Sequence, residues 1–213
     1  MKAALMIALL VLGLLGAIGY LLDANSSITG RDVATSVNIL PAVPSPCNFT
    51  ISQGWNMVSF FCLGSWVERR DALGPINSSY GKVFSYMASD SQDPWKSYNP
   101  DLPNWTVQQL VYFDRLSGYW IYMDEESSYF HEGTKKSSSI SLYQGWNLVG
   151  YTSTQSENIS QSLNGLGYTE VKTWSNGAFL VYMPSGAQDF SNFSSYKAYW
   201  VNSTSSQVWE LDP

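Results

Sequence analysis

The sequence predicts an all-β protein, in which two tandem antiparallel β-sandwich or barrel-like modules follow a single N-terminal transmembrane helix. The tandem arrangement follows from two repeated phrases: Gln-Gly-Trp-Asn-Met-Val at 53–58 returns as Gln-Gly-Trp-Asn-Leu-Val at 144–149, and Gly-Tyr-Trp-Ile at 118–121 returns as Ala-Tyr-Trp-Val at 198–201. The β class follows from short β-branched and aromatic runs bounded by Gly, Pro, Asn or Ser.

The predicted transmembrane helix covers 3–22, where no side chain is charged. Twenty apolar residues at about 1.5 Å per residue span a hydrocarbon layer of about 30 Å. Lys2 precedes this run and Asp23 follows it, so the positive-inside rule places the N-terminus in the cytoplasm and the bulk of the chain outside the cell. The alternative is a cleaved signal peptide, although residues 22–24 match a cleavage site poorly.

Residues 23–46 form a predicted linker, rich in Ser, Thr and Ala, that ends in the proline-alternating stretch 41–46. Such a stretch is stiff and extended, and it would hold the following domain away from the membrane.

Two modules follow the linker, at 47–133 and 137–213. The repeat includes an aromatic residue seven places before each Tyr-Trp tryptophan and another nine places after it, at Phe113, Phe193, Tyr129 and Trp209. The offset between the copies falls from 91 to 80 residues, which places deletions in loops of the second copy. Because a unit of about 80 residues buries only a small core, we expect the modules to pack together.

Within the modules, the predicted strands lie at 83–87, 110–113, 119–123, 147–151, 179–182 and 198–201, with turns at 176–177 and 185–186. Only 66–73 and 156–166 have a pattern compatible with helix. Each of these segments would follow a Gly-Trp-Asn strand and would bury Leu73 or Leu163.

The repeated phrases favour a framework role. A glycine before a strand permits a positive φ or a close backbone approach, the asparagine can hydrogen-bond a neighbouring turn, and the tryptophan buries a large ring. We therefore expect the repeated tryptophans to lie in the core; they are Trp55, Trp120, Trp146 and Trp200. Aromatic residues that differ between the copies are the better candidates for ligand binding, namely Trp66, Trp95, Trp105, Tyr112, Trp174 and Tyr196.

Both phrases resemble a β-module of archaeal and bacterial cell-surface proteins that opens with "GWNLVS" and closes with "GYWI". They stand here at 54–59 and 118–121, with looser copies at 145–150 and 198–201. The resemblance implies a surface location without implying a reaction. The dipeptide Lys2-Ala3 also resembles the processing site of archaeal type IV pilins, which implies a pilin-like filament subunit.

Further features are typical of an exported domain. Only 13% of the residues are charged while 15% are aromatic. Cys47 and Cys62 flank the first Gly-Trp-Asn phrase, and outside the cell we expect them to form a disulfide; the alternative is a pair of free, buried cysteines. Seven sequons predict glycosylation at Asn25, Asn48, Asn77, Asn104, Asn158, Asn192 and Asn202. The net charge of −6 argues against nucleic acid as a partner.

Catalytic and cofactor motifs find little support in the sequence. The acidic run Asp124-Glu125-Glu126 is predicted to be a solvated loop, and His131, the single histidine, a strand-end or loop residue. Two cysteines and one histidine do not supply a zinc centre, and the spacing of Asp90, Asp93 and Asp101 matches no EF-hand loop. We predict no metal, no cofactor and no enzymatic activity.

Three functions remain open. The first is a membrane-anchored structural or interaction protein of an envelope, filament or membrane complex, which would contact other protein subunits or further copies of itself. The second is a glycan-binding module that uses exposed aromatic residues. The third is a hydrolase with an acidic pair.

Overall fold

The computed structural model describes residues 46–134 and 136–212. The predicted transmembrane helix, nearly all of the linker and the sequon at Asn25 lie outside the described residues. Within the described residues, no helix has the length and apolar character needed to cross a membrane.

Sixteen short strands make up the described chain, and all pairs between them are antiparallel. The first half contains β1 (Cys47–Ile51), β2 (Gly54–Val58), β3 (Val67–Glu68), β4 (Tyr80–Tyr86), β5 (Trp95–Tyr98), β6 (Tyr112–Phe113), β7 (Tyr119–Met123) and β8 (Ser127–His131). The second half contains β9 (Ser138–Leu142), β10 (Gly145–Gly150), β11 (Glu157–Asn158), β12 (Tyr168–Ser175), β13 (Ala178–Tyr182), β14 (Asn192–Phe193), β15 (Ala198–Ser203) and β16 (Gln207–Leu211).

Both halves have the same strand order. In module 1, β2-β7-β4-β5 form a four-stranded sheet, and β1-β8 and β3-β6 form two small ones. Module 2 repeats this as β10-β15-β12-β13, β9-β16 and β11-β14. The pairing register is also the same, because Gly54 lies opposite Met123 and Gly145 opposite Ser203. The described chain is therefore mostly β-strand, with few helical residues and several antiparallel sheets, as the sequence predicts.

The predicted helices are much shorter than expected. They are single turns at Arg69–Ala72 and Ile159–Ser162. The residues before each turn pair as strands instead, β3 with β6 and β11 with β14. A 3-10 turn at Gly74–Ile76 follows the first helix. The predicted strand at 110–113 is likewise reduced to Tyr112–Phe113.

The local roles of glycine and asparagine in the repeated phrase are confirmed. Gly54 and Gly145 have φ values of +90° and +92°, which side chains disfavour. The Asn56 amide donates to the carbonyls of Ser52 and Gly54, and the Asn147 amide does the same in the equivalent turn. These bonds fix the tight entry into β2 and β10.

Each module has its own hydrophobic core. Phe113 and Tyr129 are fully buried in module 1, and Phe193 and Trp209 take the equivalent places in module 2. The predicted disulfide between Cys47 and Cys62 is present in the first core, with 5.4 Å between the Cα atoms. Leu73 and Leu163 are both 1% exposed, as the sequence predicts.

The two modules join by reciprocal contacts between equivalent residues. The Ser59 amide donates to the Tyr196 carbonyl at 2.8 Å, and the Gly150 amide donates to the Leu116 carbonyl at 2.8 Å. Tyr196 packs against the core of module 1, whereas Leu116 packs against the core of module 2. This is the pattern of an isologous dimer interface within one chain.

Small side chains occupy the centre of this interface. A Cβ atom on Gly118 would lie 2.8 Å from the Cβ of Ala198, its equivalent in module 2. A Cβ on Gly150 would lie 2.6 Å from the Arg115 carbonyl oxygen. The close approach explains why the Gly-Tyr-Trp of module 1 becomes Ala-Tyr-Trp in module 2, because only one of the two facing positions has room for a methyl group.

Candidate binding site: two aromatic grooves

The expectation that the repeated tryptophans lie in the core is wrong. Trp55 is 41% exposed, and Trp120, Trp146 and Trp200 are half-buried. Strand geometry gives the reason: successive side chains of a strand point to opposite faces. In β7 the buried residues are Tyr119, Ile121 and Met123, so Trp120 faces away from the core. The four tryptophans do occupy equivalent positions, on the outer faces of the two large sheets.

These outer faces form two neighbouring open grooves. Groove A has a volume of about 670 Å³ and is lined by Trp55, Phe84, Trp95, Ser97, Gln109, Trp120, Trp174 and Phe179. Groove B has a volume of about 510 Å³ and is lined by Tyr86, Trp95, Trp146, Lys172, Phe179, Val181 and Trp200. Trp95 and Phe179 contribute to both grooves.

Equivalent aromatic contacts build the two grooves. In groove A, Trp120 packs edge-on against Trp174, with 5.4 Å between ring centroids. In groove B, Trp200 packs edge-on against Tyr86 at 5.1 Å. These edge-to-face geometries are favourable for aromatic pairs. Each pair joins a ring of module 1 to a ring of module 2, so both grooves require the two modules to be docked.

The two residues that line both grooves, Phe179 and Trp95, each contact a tryptophan of the other module. The ring of Phe179 lies 5.7 Å from that of Trp120, and the ring of Trp95 lies 5.8 Å from that of Trp200. Phe179 is 46% exposed and Trp95 is 45% exposed, so both rings present surface to solvent.

The polar residues of the two grooves differ. Phe84 of groove A is replaced by Lys172 in groove B, where the ammonium lies 4.8 Å above the Trp146 ring and 2.9 Å from a Glu170 carboxylate oxygen. Groove A has Gln109, whose amide donates to the Asp93 carboxylate at 2.6 Å. Both grooves therefore combine exposed rings with a small number of hydrogen-bonding groups, as ligand sites commonly do.

The six aromatic residues that the sequence singled out are not brought together. Trp95 and Trp174 lie in the grooves. The ring centroids of Trp66 and Tyr112 lie 5.8 Å apart, and neither residue lines a groove. The others are dispersed: Trp105 is 84% exposed in the loop before β6, while the ring of Tyr196 stacks on Phe49 at 4.3 Å within the first core.

Sequence reasoning missed Phe84, Tyr86 and Phe179 as groove residues. The signal was present in β4, where Phe84 and Tyr86 alternate with the buried residues Val83 and Ser85. Aromatic residues at alternate positions, between small or aliphatic ones that face the core, predict a second face that is available to another surface.

The acidic run and the histidine are where the sequence placed them. Asp124, Glu125 and Glu126 are exposed in the bend between β7 and β8, and Glu125 accepts a hydrogen bond from Ser79. His131 is the last residue of β8, and its Nδ1 lies 2.6 Å from the Glu132 carbonyl oxygen.

Carboxylates do not converge on a metal position in the part of the chain that the structure describes. Asp90 and Asp93 instead surround the Lys96 ammonium, at 2.8 and 3.3 Å. The hydrogen bond from Lys96 lowers the pKa of the Asp90 carboxyl.

Four sequon asparagines are exposed, namely Asn48, Asn77, Asn104 and Asn192. Asn158 caps the second helical turn by accepting a hydrogen bond from the Ser160 amide at 3.0 Å. Asn202 is half-buried opposite Trp146 on β15. Glycosylation of these positions stays a prediction.

No protein-family model matches this chain, and comparisons with curated proteins and with solved structures give no match. The resemblance to cell-surface β-modules therefore stays a prediction, and function must be inferred from the surfaces of the molecule.

Proposed function

We propose that this chain is a non-enzymatic binding protein of the cell surface, and that its two aromatic grooves bind a glycan. The observation that carries the proposal is the placement of four repeated tryptophans around open grooves instead of in the core. Indole rings left partly exposed retain apolar surface that a ligand can remove from water. Repetition of this arrangement in both modules favours a surface selected for binding.

The chemistry of the grooves favours a sugar over a purely apolar ligand. A pyranose ring presents an apolar C–H face that packs on an aromatic ring, and its hydroxyl groups need hydrogen-bonding partners at the edge. Ser97 and Gln109 supply such partners in groove A, and Lys172 supplies one in groove B. The grooves are open, as suits an extended chain of sugars.

Two features support a location outside the cell. The disulfide between Cys47 and Cys62 is typical of an oxidising compartment. The exposed sequon asparagines all follow the segment 3–22, and the predicted orientation of this segment places them outside the cell. Protease added to intact cells should digest both modules, whereas protection of the modules would reverse the predicted orientation.

Glycan binding can be tested by probing an oligosaccharide array with the full-length protein in mild detergent. Trp120→Ala and Trp200→Ala each remove one groove wall, and we expect the double variant to lose binding. Phe130→Ala is the matched control, since Phe130 is 52% exposed and lines neither groove. Unchanged glycan binding by the folded double variant, or no binding by the unmodified protein, would rule out the proposal.

The non-enzymatic part of the proposal has its own test. Simultaneous alanine substitution of Asp124, Glu125, Glu126 and His131 should leave glycan binding intact, because these residues line neither groove. A purified protein that hydrolysed a glycan or peptide, and lost this activity on the same substitutions, would establish a hydrolase instead.

A second candidate is a structural subunit of an envelope, a membrane complex or a pilin-like filament. The loop 99–111 of module 1 favours it, because Leu102, Trp105 and Val107 are 43%, 84% and 89% exposed there. The corresponding loop of module 2, at 183–191, is shorter. Native mass measurement of the detergent-extracted protein tests this candidate. Trp105→Ala with Val107→Ser should reduce the oligomer mass if the loop contacts another subunit, and Trp120→Ala should not.

A further inference from the structure

Groove A continues into a second depression, which lies between the modules and which we term the inter-module crevice. Trp55 and Trp174 line both of them, and the Trp174 indole N–H donates to the Trp55 carbonyl at 3.0 Å. The crevice has a volume of about 490 Å³ and neutral polar side chains along its walls, among them Thr50, Gln53 and Asn176.

Among the residues that the structure describes, Lys197 is the only charged one that lines this crevice. Its ammonium forms no ion pair or hydrogen bond with any residue that the structure describes. Burial lowers the pKa of the Lys197 amine, because the charged form loses part of its hydration. An incompletely hydrated cation without a counter-ion is stabilised when an anion binds to it.

The fold itself does not require a lysine at this position. The equivalent residue of module 1 is Ser117, and each of the two forms an isolated bridge to the end of a strand in the other module. The crevice that contains Ser117 has a smaller volume, about 250 Å³. At Lys197 the backbone carbonyl makes the interface contact, by accepting from the Ser59 hydroxyl at 2.9 Å, so the ammonium has no role in joining the modules.

We propose that the inter-module crevice binds the carboxylate of an acidic sugar, with Lys197 as its counter-ion, when the neutral part of the same glycan lies in groove A. This inference rests on the proposed glycan binding and specifies its ligand as an acidic saccharide of the uronic acid type. Lys197 then determines specificity, while the aromatic rings provide affinity that is independent of charge.

The test compares two oligosaccharides on the full-length protein in mild detergent. One contains glucuronic acid, and the other is its neutral counterpart with the carboxylate reduced to a hydroxymethyl group. We expect the acidic ligand to bind the unmodified protein about tenfold more tightly or better, the gain typical of one hydrogen bond between charged groups. Lys197→Met should remove this preference and leave neutral binding unchanged. Lys136→Met, which removes an exposed charge that does not line the crevice, should retain the preference.

Equal binding of the two ligands by the unmodified protein would overturn the inference, and so would a preference that survives in Lys197→Met. Both results leave glycan binding by the grooves intact. If neither oligosaccharide binds, the proposed function fails, and free glucuronate then tests the crevice alone. Protection of Lys197 from reductive methylation by glucuronate would support the anion site, and the absence of protection would overturn it.

Discussion

Single tryptophan substitutions should lower the free energy of unfolding less in the grooves than in the core. Trp209 is 1% exposed, and its indole N–H donates to the Ser162 carbonyl at 3.0 Å. Trp209→Ala leaves a sealed cavity in the second core, and such changes cost about 3 to 5 kcal/mol. Trp55 is 41% exposed and borders open space, so Trp55→Ala creates no sealed cavity. Its expected cost is the transfer free energy of the buried part, about 1 to 2 kcal/mol.

Urea unfolding, followed by far-UV circular dichroism on the full-length protein in mild detergent, measures both free energies. The ratio between the two losses is more informative than either value, because both variants remove the same side chain. We expect Trp209→Ala to lose more stability than Trp55→Ala, by a factor of about 1.5 or more. Equal losses would show that Trp55 supports the fold as a core residue does, and would remove the main observation behind the proposed binding function.

Three further outcomes follow from the structure. Replacement of Cys62 by serine should lower the free energy of unfolding by about 3 kcal/mol, given the 15-residue separation of the bridge, and an unchanged urea midpoint would contradict this. Leu116→Ala should accelerate amide hydrogen exchange in the core of module 2, and Tyr196→Ala should do so in module 1, because each side chain packs in the opposite module. Faster exchange confined to the module that carries the substitution would refute the reciprocal packing. Burial raises the pKa of the Tyr119 and Tyr199 hydroxyls, so their neutral forms stabilise the folded state up to a pH of about 10. This contribution to the free energy of unfolding should be lost as the pH rises further. A flat stability profile between pH 8 and 11 would be inconsistent with this prediction.

The sequence was most informative where chemistry allows few alternatives. A glycine before a strand, followed by Trp and Asn, indicated either a positive φ or a close backbone approach at the glycine and a hydrogen bond from the asparagine to a turn. The structure shows the positive φ at Gly54 and the amide hydrogen bonds of Asn56. The disulfide followed from two cysteines in a chain predicted to be exported. Both predictions depend on residues close together in the chain.

The sequence predicts the wrong face for the repeated tryptophans, because hydrophobicity does not distinguish two adjacent aromatic residues. Tyr119 and Trp120 are adjacent in one strand, so only one of them can face the core, and hydrophobicity alone favours both. The structure buries Tyr119, whose hydroxyl donates to the Asp114 carbonyl and accepts from the Asp114 amide. The grooves themselves could not be predicted, because their walls combine residues from two modules whose docking the sequence does not specify.

The exchange of Leu116 and Tyr196 also has a consequence for how the chain is made. Module 1 leaves the ribosome before module 2, yet its core stays incomplete until Tyr196 of module 2 has been synthesised. Until then Phe49 and Phe61 lack the ring that covers them. A chain that stops before Tyr196 therefore carries an unfinished apolar surface on its first module.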